Sequence, residues 1–376
     1  MKLLHIIPLL HGGGAEKFCI DLCNELSKEH DVTICALFDV EEHMFMAKAL
    51  SPDVKVITLN KKLGFDIRMF FKIYMLVKNG NYDAINTHLM GLFNSLPAIV
   101  LTKNKFFHTI HSLASKETSK NKRMIYNILF NFFHATPIGI SNQVLKSIHT
   151  EYGNQFNTLI INGTKRPEAT TELENVRREI QGYKKTPSTK VFLTIGRIAP
   201  EKNQKMMIEV FNKLISEGED LILVIIGRDT EEGDPTLSQL LPLAKPEIHF
   251  LGMKQNIADY YLCCDAFCLS SLYEGLPITL LEALSLGVIS ICTPVGGIID
   301  VVEDGENGFL SSDVSEQSFY VAVKRFLSLD DNEKRELSKN AVETFETMYD
   351  ISTTEKKYID LYSTRLTSKK QPFISA

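Results

Sequence analysis

The sequence lacks the features that mark disulfide-bonded and metal-binding domains. Its seven cysteines are an odd number without a paired C-x2-C pattern. Cys263, Cys264 and Cys268 lie close together, but no second ligand pair completes a zinc site. We therefore interpret the cysteines as buried free thiols in a reducing cytosol.

Long apolar segments are also absent. No run of about 18 or more apolar residues occurs, so the sequence predicts no membrane-spanning helix. The opening MKLLHIIPLL is interrupted by His5 and Pro8, and three glycines follow where a signal peptide would continue its apolar core. These absences predict a cytoplasmic protein.

The composition is that of a globular protein whose charge is unevenly divided. The chain has 376 residues, of which 44% are hydrophobic and 23% are charged, and this length suggests two domains. Residues 1–166 hold 19 lysines and arginines against 13 acids, whereas the remainder holds 22 against 33. A solvated surface accounts for the basic first half, and an anionic partner is the alternative.

Apolar runs alternate with helical patterns along the chain, which predicts parallel sheets with crossover helices. In the first half the strands read KLLHIIP, DVTICALF, VKVITL, DAINTH, FFHTIH and ATPIGIS; in the second they read KVFLTIG, LILVIIG, IHFLGM, AFCLSS and VISICT. The sequence therefore predicts an α/β protein with two doubly wound, Rossmann-like domains facing a central cleft. Such sheets bind ligands beyond the carboxyl ends of their strands, so functional residues should follow strands directly.

The predicted break between the two domains falls at the turn residues 162–167. We expect an N-terminal domain over residues 1–165 and a C-terminal domain over 166–350. A final helix in residues 351–376 is expected to return to the first domain. The polar segment 172–185 indicates a surface helix and loop.

The first predicted strand leads into a glycine-rich turn, HGGGAEK, at residues 11–17. Glycines at such a turn let the backbone approach a ligand closely, and the helix N-terminus behind them favours an anion. The dinucleotide fingerprint G-x-G-x-x-G is incomplete because the third glycine is missing. A plain tight turn is the alternative interpretation.

A second turn, GRIAPEKNQ, places Arg197 and Lys202 before a helix that begins near Asn203. Cations at a helix start oppose the helix macrodipole, so stability alone would not select them there. A bound diphosphate would make the two cations favourable at this position. A solvated basic turn is the alternative.

The third segment, YEGLPITLLEALSLG at residues 273–287, combines two carboxylates with a helix N-terminus. Pro277 suits the first turn of the helix, because its missing N–H costs nothing there. Three backbone amides can then face phosphate oxygens, those of Leu276, Ile278 and Thr279. Glu282 can reach the hydroxyls of a sugar bound beside the phosphates. For Glu274, capping of the helix is the alternative to a ligand contact.

Four motifs together resemble the retaining glycosyltransferases of family 4, which have the glycosyltransferase B fold: GGGAEK, GRIAPEK, YEGLPITLLEA and PVGGIIDVVEDGENGFL. They follow the family's order and spacing from Gly12 to about Leu310. The resemblance implies a nucleotide-sugar donor, with a UDP-sugar favoured over a GDP-sugar. It also implies no cofactor and no metal, and the D-x-D triplet of metal-dependent glycosyltransferases is absent. No nucleic-acid partner is expected.

The resemblance further implies that the domain over residues 1–165 binds the acceptor and that the domain over 166–350 binds the nucleotide-sugar donor. Arg197 and Lys202 would hold its diphosphate, and Glu282 would accept hydrogen bonds from the ribose. Gly13 and Gly14 would let the N-terminal loop close over the donor.

Two residues are predicted to be catalytic on the same basis. Glu274 would face the hydroxyls of the transferred sugar, and His111, in HTIHSL, matches the histidine near the scissile bond. His88 and His108 are interpreted either as packing groups or as groups that support the site from behind its ligand contacts. The sequence departs from the family's usual pattern at Pro277 and Thr279, where glycine and proline are more common, and at NGTK, residues 162–165.

The expected function is that of a retaining, metal-independent hexosyltransferase of surface polysaccharide biosynthesis. Its acceptor would be a hydroxyl of a glycan or of a lipid-linked oligosaccharide. Two alternatives remain open at this stage: a nucleotide-sugar 2-epimerase of the same fold, and a catalytically silent protein that binds sugar nucleotides.

Segments 61–78 and 116–134 of the first half mix basic and aromatic residues. Both resemble interfacial membrane helices, although amphipathic helices packed on their own sheet would show the same pattern. Lys120, Lys122 and Arg123 precede an aromatic and aliphatic run. The sequence thus predicts peripheral association with the inner face of the cell membrane.

Overall fold

The computed structural model describes residues 1–38, 45–229 and 235–367, and the end of the predicted C-terminal segment lies outside these ranges. The chain divides into two compact units. Unit 1 comprises Met1–Thr164 together with the segment from Tyr349 onward, and unit 2 comprises Lys165–Met348. Within the described ranges, no helix has both the length and the apolar character needed to cross a bilayer.

Unit 1 contains six parallel strands: β1 (Lys2–Ile7), β2 (Asp31–Ala36), β3 (Lys55–Thr58), β4 (Ala84–His88), β5 (Phe106–Ile110) and β6 (Thr136–Gly139). They form one sheet in the order β3-β2-β1-β4-β5-β6. The helices that follow them are α1 (Gly14–Leu26), α2 (Arg68–Gly80), α3 (Gly91–Asn94), α4 (Leu96–Leu101), α5 (Ala114–Glu117), α6 (Lys120–Phe132) and α7 (Asn142–Tyr152). Every residue of β4 and β5 is buried, as expected for strands covered on both faces.

Unit 2 repeats this plan with the strands β7 (Lys190–Ile195), β8 (Leu221–Ile226), β9 (Ile248–Phe250), β10 (Ala266–Leu269), β11 (Ile289–Cys292) and β12 (Gly308–Leu310). Their order is β12-β11-β10-β7-β8-β9, so the winding reverses between β7 and β10. Its helices are α8 (Leu173–Tyr183), α9 (Gln204–Ser216), α10 (Thr236–Leu240), α11 (Ile257–Tyr261), α12 (Ile278–Ser285), α13 (Glu316–Leu327) and α14 (Asp331–Met348).

The structure confirms all eleven strands that the sequence predicts. The twelfth, β12, has only three residues, which is too short for a hydrophobic period to stand out. The predicted polar helix is α8, which buries only Val176 and Ile180.

The last helix, α15 (Ile351–Thr367), belongs to unit 1 although it follows unit 2 in the chain. It packs against α1, and its Tyr358 and Tyr362 are buried. The hydroxyl oxygen of Tyr358 lies 2.9 Å from Oγ1 of Thr109 in β5. The ring of Tyr358 also contacts that of Phe18 in α1, with the centroids 6.2 Å apart. α15 therefore completes the helical layer on the α1 face of the sheet.

We predict that Tyr358→Ala destabilises unit 1 by about 3 to 5 kcal/mol, the range for truncating a large buried ring. Urea unfolding followed by circular dichroism measures this loss. Lys357→Ala, at the exposed neighbouring position of the same helix, is the matched control and should change stability little. Equal unfolding midpoints for the two variants would contradict the packing of α15 on unit 1.

Candidate functional site

The turn after β7 carries the two predicted phosphate ligands, and each has an acidic partner in this structure. Nη2 of Arg197 lies 3.0 Å from Oε1 of Glu201, and Nζ of Lys202 lies 2.6 Å from Oε1 of Glu274. Gln204 fixes the turn by donating from Nε2 to the Arg197 carbonyl oxygen at 2.7 Å. The positive charges predicted at this helix start are therefore balanced within the site.

The turn after β10 brings Glu274 to this position. Ser271 donates from its hydroxyl to Oε1 of Glu274 at 2.6 Å, so two donors, the hydroxyl and the Lys202 ammonium, converge on one carboxylate oxygen. Glu274 is 9% exposed. Because β7 and β10 are neighbours at the point where the winding reverses, both turns lie where open α/β sheets bind ligands.

A third loop, from the PVGG motif, supports the Glu274 turn from behind. The Gly297 amide donates to the Gly275 carbonyl oxygen at 2.8 Å. Gly296 has a φ of +54°, and a Cβ there would lie 1.9 Å from the Glu274 carbonyl oxygen. Only glycine satisfies both the backbone conformation and this close approach.

Helix α12 begins one residue later than the sequence predicts. Pro277 is the residue before the helix and has an extended conformation, so the prediction that it lies in the first turn is wrong. Its carbonyl oxygen accepts from the Leu280 amide at 3.1 Å. The amides of Ile278 and Thr279 are the first of the helix and have no intrahelical acceptor.

The alternative role of Glu274 as a helix cap is also wrong. No side chain caps the start of α12, and the Glu274 carboxylate is bonded to Lys202 and Ser271 instead. Glu282 lies in α12 and is 1% exposed. Burial, and secondarily the charge of Glu282, raises the pKa of Tyr261, whose hydroxyl donates to the Thr279 carbonyl oxygen at 2.8 Å.

Sequence reasoning missed Glu201 and Ser271. Glu201 lies four residues after Arg197, a spacing that could have suggested an ion pair. Ser271 gives no local signal, because its partner is set by the conformation of the loop after β10.

In unit 1, the predicted glycine turn joins β1 to α1. Gly13 is the extended residue before the helix, and Gly14 is its first residue. A Cβ at Gly13 would lie 2.3 Å from Oε2 of Glu16, so a larger residue would displace that side chain. The turn keeps its backbone accessible at a helix N-terminus.

His111 directly follows β5 and is joined to two further histidines. Its Nε2 lies 2.9 Å from Nδ1 of His88, and Nε2 of His88 lies 3.1 Å from Nδ1 of His5. Burial, followed by the charges of neighbouring histidines, lowers the pKa of His88 well below its usual value. Burial and then the charge of His108 lower the pKa of His111 to about 3. Both imidazoles are therefore neutral at neutral pH.

His108 lies on the opposite face of the sheet. Its Nδ1 lies 3.0 Å from the Thr87 carbonyl oxygen, and its Nε2 lies 3.5 Å from Oε1 of Glu117. Burial raises the pKa of Glu117. The packing role predicted for His108 fits these buried contacts, whereas His88 belongs to the row that ends at His111.

One group of three potential metal ligands occurs in the part of the chain that the structure describes. His5, Cys19 and Cys23 are all buried, with their ligand atoms within 4.8 Å of one another. Burial raises the pKa of Cys19, which holds its sulfur as a thiol rather than the thiolate that binds metals. These contacts are those of a packed core.

The fold and these turns define a class of protein, the two-domain Rossmann-like enzymes of the glycosyltransferase B type. The profile "Glycosyltransferase Family 4" matches residues 12–163, and the profile "Glycosyl transferases group 1" matches residues 175–344. The two profiles fall on the two units in order, and the chain belongs to this family of glycosyltransferases.

Named relatives support this assignment. The chain is 25% identical, over 84% of both chains, to a UDP-Gal:α-D-GlcNAc-diphosphoundecaprenol α-1,3-galactosyltransferase from Escherichia coli. It is also 25% identical to the GalNAc-α-(1→4)-GalNAc-α-(1→3)-diNAcBac-PP-undecaprenol α-1,4-N-acetyl-D-galactosaminyltransferase of Campylobacter jejuni, over 96% of this chain and 98% of the relative. Among solved structures, the Anabaena protein HepE in complex with UDP and glucose is 19% identical with a TM-score of 0.82, over 97% of this chain and all of that one.

We predict that unit 1 loses stability as the pH falls from about 6.5 toward 3. The usual histidine pKa is 6.5, whereas His88 and His111 have lowered pKa values in the folded protein. The unfolded chain therefore takes up these protons first, and stability that is full above pH 6.5 declines below it. Each such histidine contributes a slope of up to about 1.4 kcal/mol per pH unit.

Urea unfolding between pH 7 and pH 4.5 measures this dependence. His111→Asn should flatten it, because one such proton is removed. The control is His134→Asn at an exposed position with a φ of +56°, which asparagine tolerates. An identical pH dependence in the native protein and both variants would refute the assignment.

Proposed function

We propose that this protein is a retaining glycosyltransferase that takes a sugar from a nucleotide-sugar, with UDP favoured, and transfers it to a lipid-linked glycan. The observation that carries the proposal is the Lys202–Glu274 pair beside the start of α12. The pair places a cation and a carboxylate beside helix amides that have no intrahelical acceptor, at the edge where the winding of unit 2 reverses. Those three groups are what the phosphates and the hydroxyls of a sugar nucleotide require.

When the diphosphate binds, it replaces two carboxylates as the partner of Arg197 and Lys202. Glu201 pairs with Arg197, and Glu274 pairs with Lys202. A diphosphate offers both cations charge-assisted hydrogen bonds and also accepts from the amides of Ile278 and Thr279. When Lys202 turns to the phosphate, the carboxylate of Glu274 is released to accept from the hydroxyls of the transferred sugar. Glu282, one turn into α12, accepts from the ribose.

The chemistry follows from this arrangement. Cleavage of the sugar–phosphate bond builds negative charge on the leaving diphosphate, and fixed cations and helix amides stabilise it. These groups take the role that a metal ion has in other transferases, so we propose that no metal is required. The acceptor hydroxyl attacks the anomeric carbon on the face from which the diphosphate leaves, and an oxygen of the leaving diphosphate takes the hydroxyl proton. Attack on that face retains the anomeric configuration. We assign to His111 a contact with the transferred sugar.

The first prediction from the proposed function concerns the two cations, Arg197 and Lys202. Arg197→Ala and Lys202→Ala should each weaken binding of the sugar nucleotide by about 1.5 to 3 kcal/mol, or roughly ten- to a hundredfold in Kd. Isothermal titration calorimetry measures this change. Lys205→Ala removes an exposed positive charge from the next turn and should have no effect. Native affinity in both site variants would place the donor elsewhere.

The second prediction separates the two glutamates. Glu282→Gln should weaken binding of free UDP as well as of the UDP-sugar, because both contain the ribose. Glu274→Gln should leave the affinity for free UDP near the native value and impair the UDP-sugar and its turnover. Equal losses of UDP affinity in the two variants would refute this division. Calorimetry with both ligands distinguishes the outcomes.

We also propose that unit 1 docks on the anionic inner face of the cell membrane, where a lipid-linked acceptor resides. Helices α2 and α6 each bury one side and leave large apolar residues on the other: Phe71 in α2, and Met124, Ile128 and Phe132 in α6. The rings of Phe70 in α2 and Phe93 in α3 lie 5.6 Å apart. Nζ of Lys122 in α6 lies 5.2 Å from the centroid of Phe93, so the two segments are neighbours.

Packing on the sheet accounts for the buried sides of these helices but not for the exposed ones. The three basic residues of α6 are also not equivalent. Nη1 of Arg123 donates to the carbonyl oxygens of Ser115 and Thr118, and its Nε lies 3.2 Å from Oε2 of Glu151. Arg123 therefore fixes the start of α6. Lys120 and Lys122 are the basic residues proposed to meet lipid phosphates, and Lys122 would give up its contact with the Phe93 ring to do so.

The third prediction is binding to vesicles that contain anionic lipid, weakened by salt, measured by co-sedimentation at low and high ionic strength. Lys120→Glu with Lys122→Glu should reduce binding, since each basic group contributes about 1 kcal/mol. Met124→Ser with Ile128→Ser should reduce it through lost insertion. Lys339→Glu, on the surface of unit 2, is the control. If the native protein stays in the supernatant at low salt, this surface does not dock on membranes.

A further inference from the structure

Three imidazoles form a hydrogen-bonded row across the middle of the unit 1 sheet. His5 lies in β1, His88 ends β4 and His111 follows β5, and these three strands are neighbours. The row has two links, Nδ1 of His5 to Nε2 of His88 at 3.1 Å and Nδ1 of His88 to Nε2 of His111 at 2.9 Å. His5 and His88 are completely buried.

A neutral row of this kind has two possible proton arrangements. Each link holds one proton, and each neutral ring carries one N–H and one lone pair. Either every ring donates toward His111, or every ring donates toward His5. The tautomer of the ring at one end of the row therefore fixes the tautomer of the ring at the other end.

The surroundings of His5 decide between them. In the described part of the chain, Nε2 of His5 is buried without a hydrogen-bond partner, and a ring nitrogen of His5 lies within 4.8 Å of the sulfur atoms of Cys19 and Cys23. A row that donates toward His5 would bury an N–H against sulfur, which is a weak acceptor. A row that donates toward His111 leaves a lone pair at this end, which a thiol S–H can approach as a donor.

We propose that His5 and His88 are positioning residues that hold His111 in the tautomer with its proton on Nδ1. Nε2 of His111 is occupied by His88, and Nδ1 makes no hydrogen bond with the part of the chain that the structure describes. His111 then presents a hydrogen-bond donor to its ligand and cannot serve as a general base. That the ligand is a sugar hydroxyl or ring oxygen rests on the proposed function.

The test begins with the native full-length protein, labelled with 15N-histidine. Long-range 1H–15N correlation spectra show which ring nitrogen carries the proton, and the signals absent from His111→Asn identify His111. We expect the proton of His111 on Nδ1. A proton on Nε2 overturns the proposal without the need for any further variant.

Two substitutions of His88 test the row itself. In His88→Asn, the side-chain amide takes the place of Nδ1–H and should keep the native tautomer of His111. His88→Leu removes the donor and should give a mixture of the two tautomers. An unchanged tautomer in a folded His88→Leu protein overturns the proposal.

Kinetics separate positioning from packing. His88→Leu should lower kcat about tenfold, the size of one neutral hydrogen bond, and His88→Asn should restore most of it. The Kd for UDP should stay native in both, because the proposed contacts of the nucleotide lie in unit 2. Equal kcat losses in the two variants would overturn the positioning role. If His111 has the expected tautomer but the protein transfers no sugar, the positioning role of the row stands and the proposed function is refuted instead.

Discussion

The Lys202–Glu274 ion pair is the interaction on which the proposed donor site of unit 2 depends. It joins the turn after β7 to the turn after β10, and the hydroxyl of Ser271 adds a second donor to the same carboxylate oxygen. A carboxylate that is 9% exposed would be costly without such partners. The pair therefore holds both charges in place between the two turns, and in the proposed function each of them changes partner when the sugar nucleotide binds.

Sheet topology explains why these groups meet. The winding of unit 2 reverses between β7 and β10, so the turns that follow these strands diverge to opposite faces and leave room for a ligand. The close approach of Gly296 to the Glu274 carbonyl oxygen then fixes the second turn from behind. Unit 1 reverses between β1 and β4, with the glycine turn after β1 and His88 at the end of β4.

Much of this architecture could be predicted from the sequence, because its signals are local. Hydrophobic runs bounded by turn residues located eleven strands, and glycine, proline and cations after strands marked the turns. Long-range contacts could not be predicted in this way. His5 and His88 are 83 residues apart and meet only because β1 and β4 are neighbours. The partners of Glu274 and the internal role of Arg123 likewise depend on how separate segments pack.

The most direct test of the account is donor hydrolysis in the absence of an acceptor. The native protein, treated with a chelator to remove metal ions, is incubated with a panel of UDP- and GDP-sugars, and NMR follows the release of free nucleotide and the anomer of the released sugar. The account predicts slow release of UDP from one UDP-sugar, with retained anomeric configuration, and loss of this release in Glu274→Gln. Formation of a 2-epimer without free nucleotide, or no reaction with any sugar nucleotide, would contradict it.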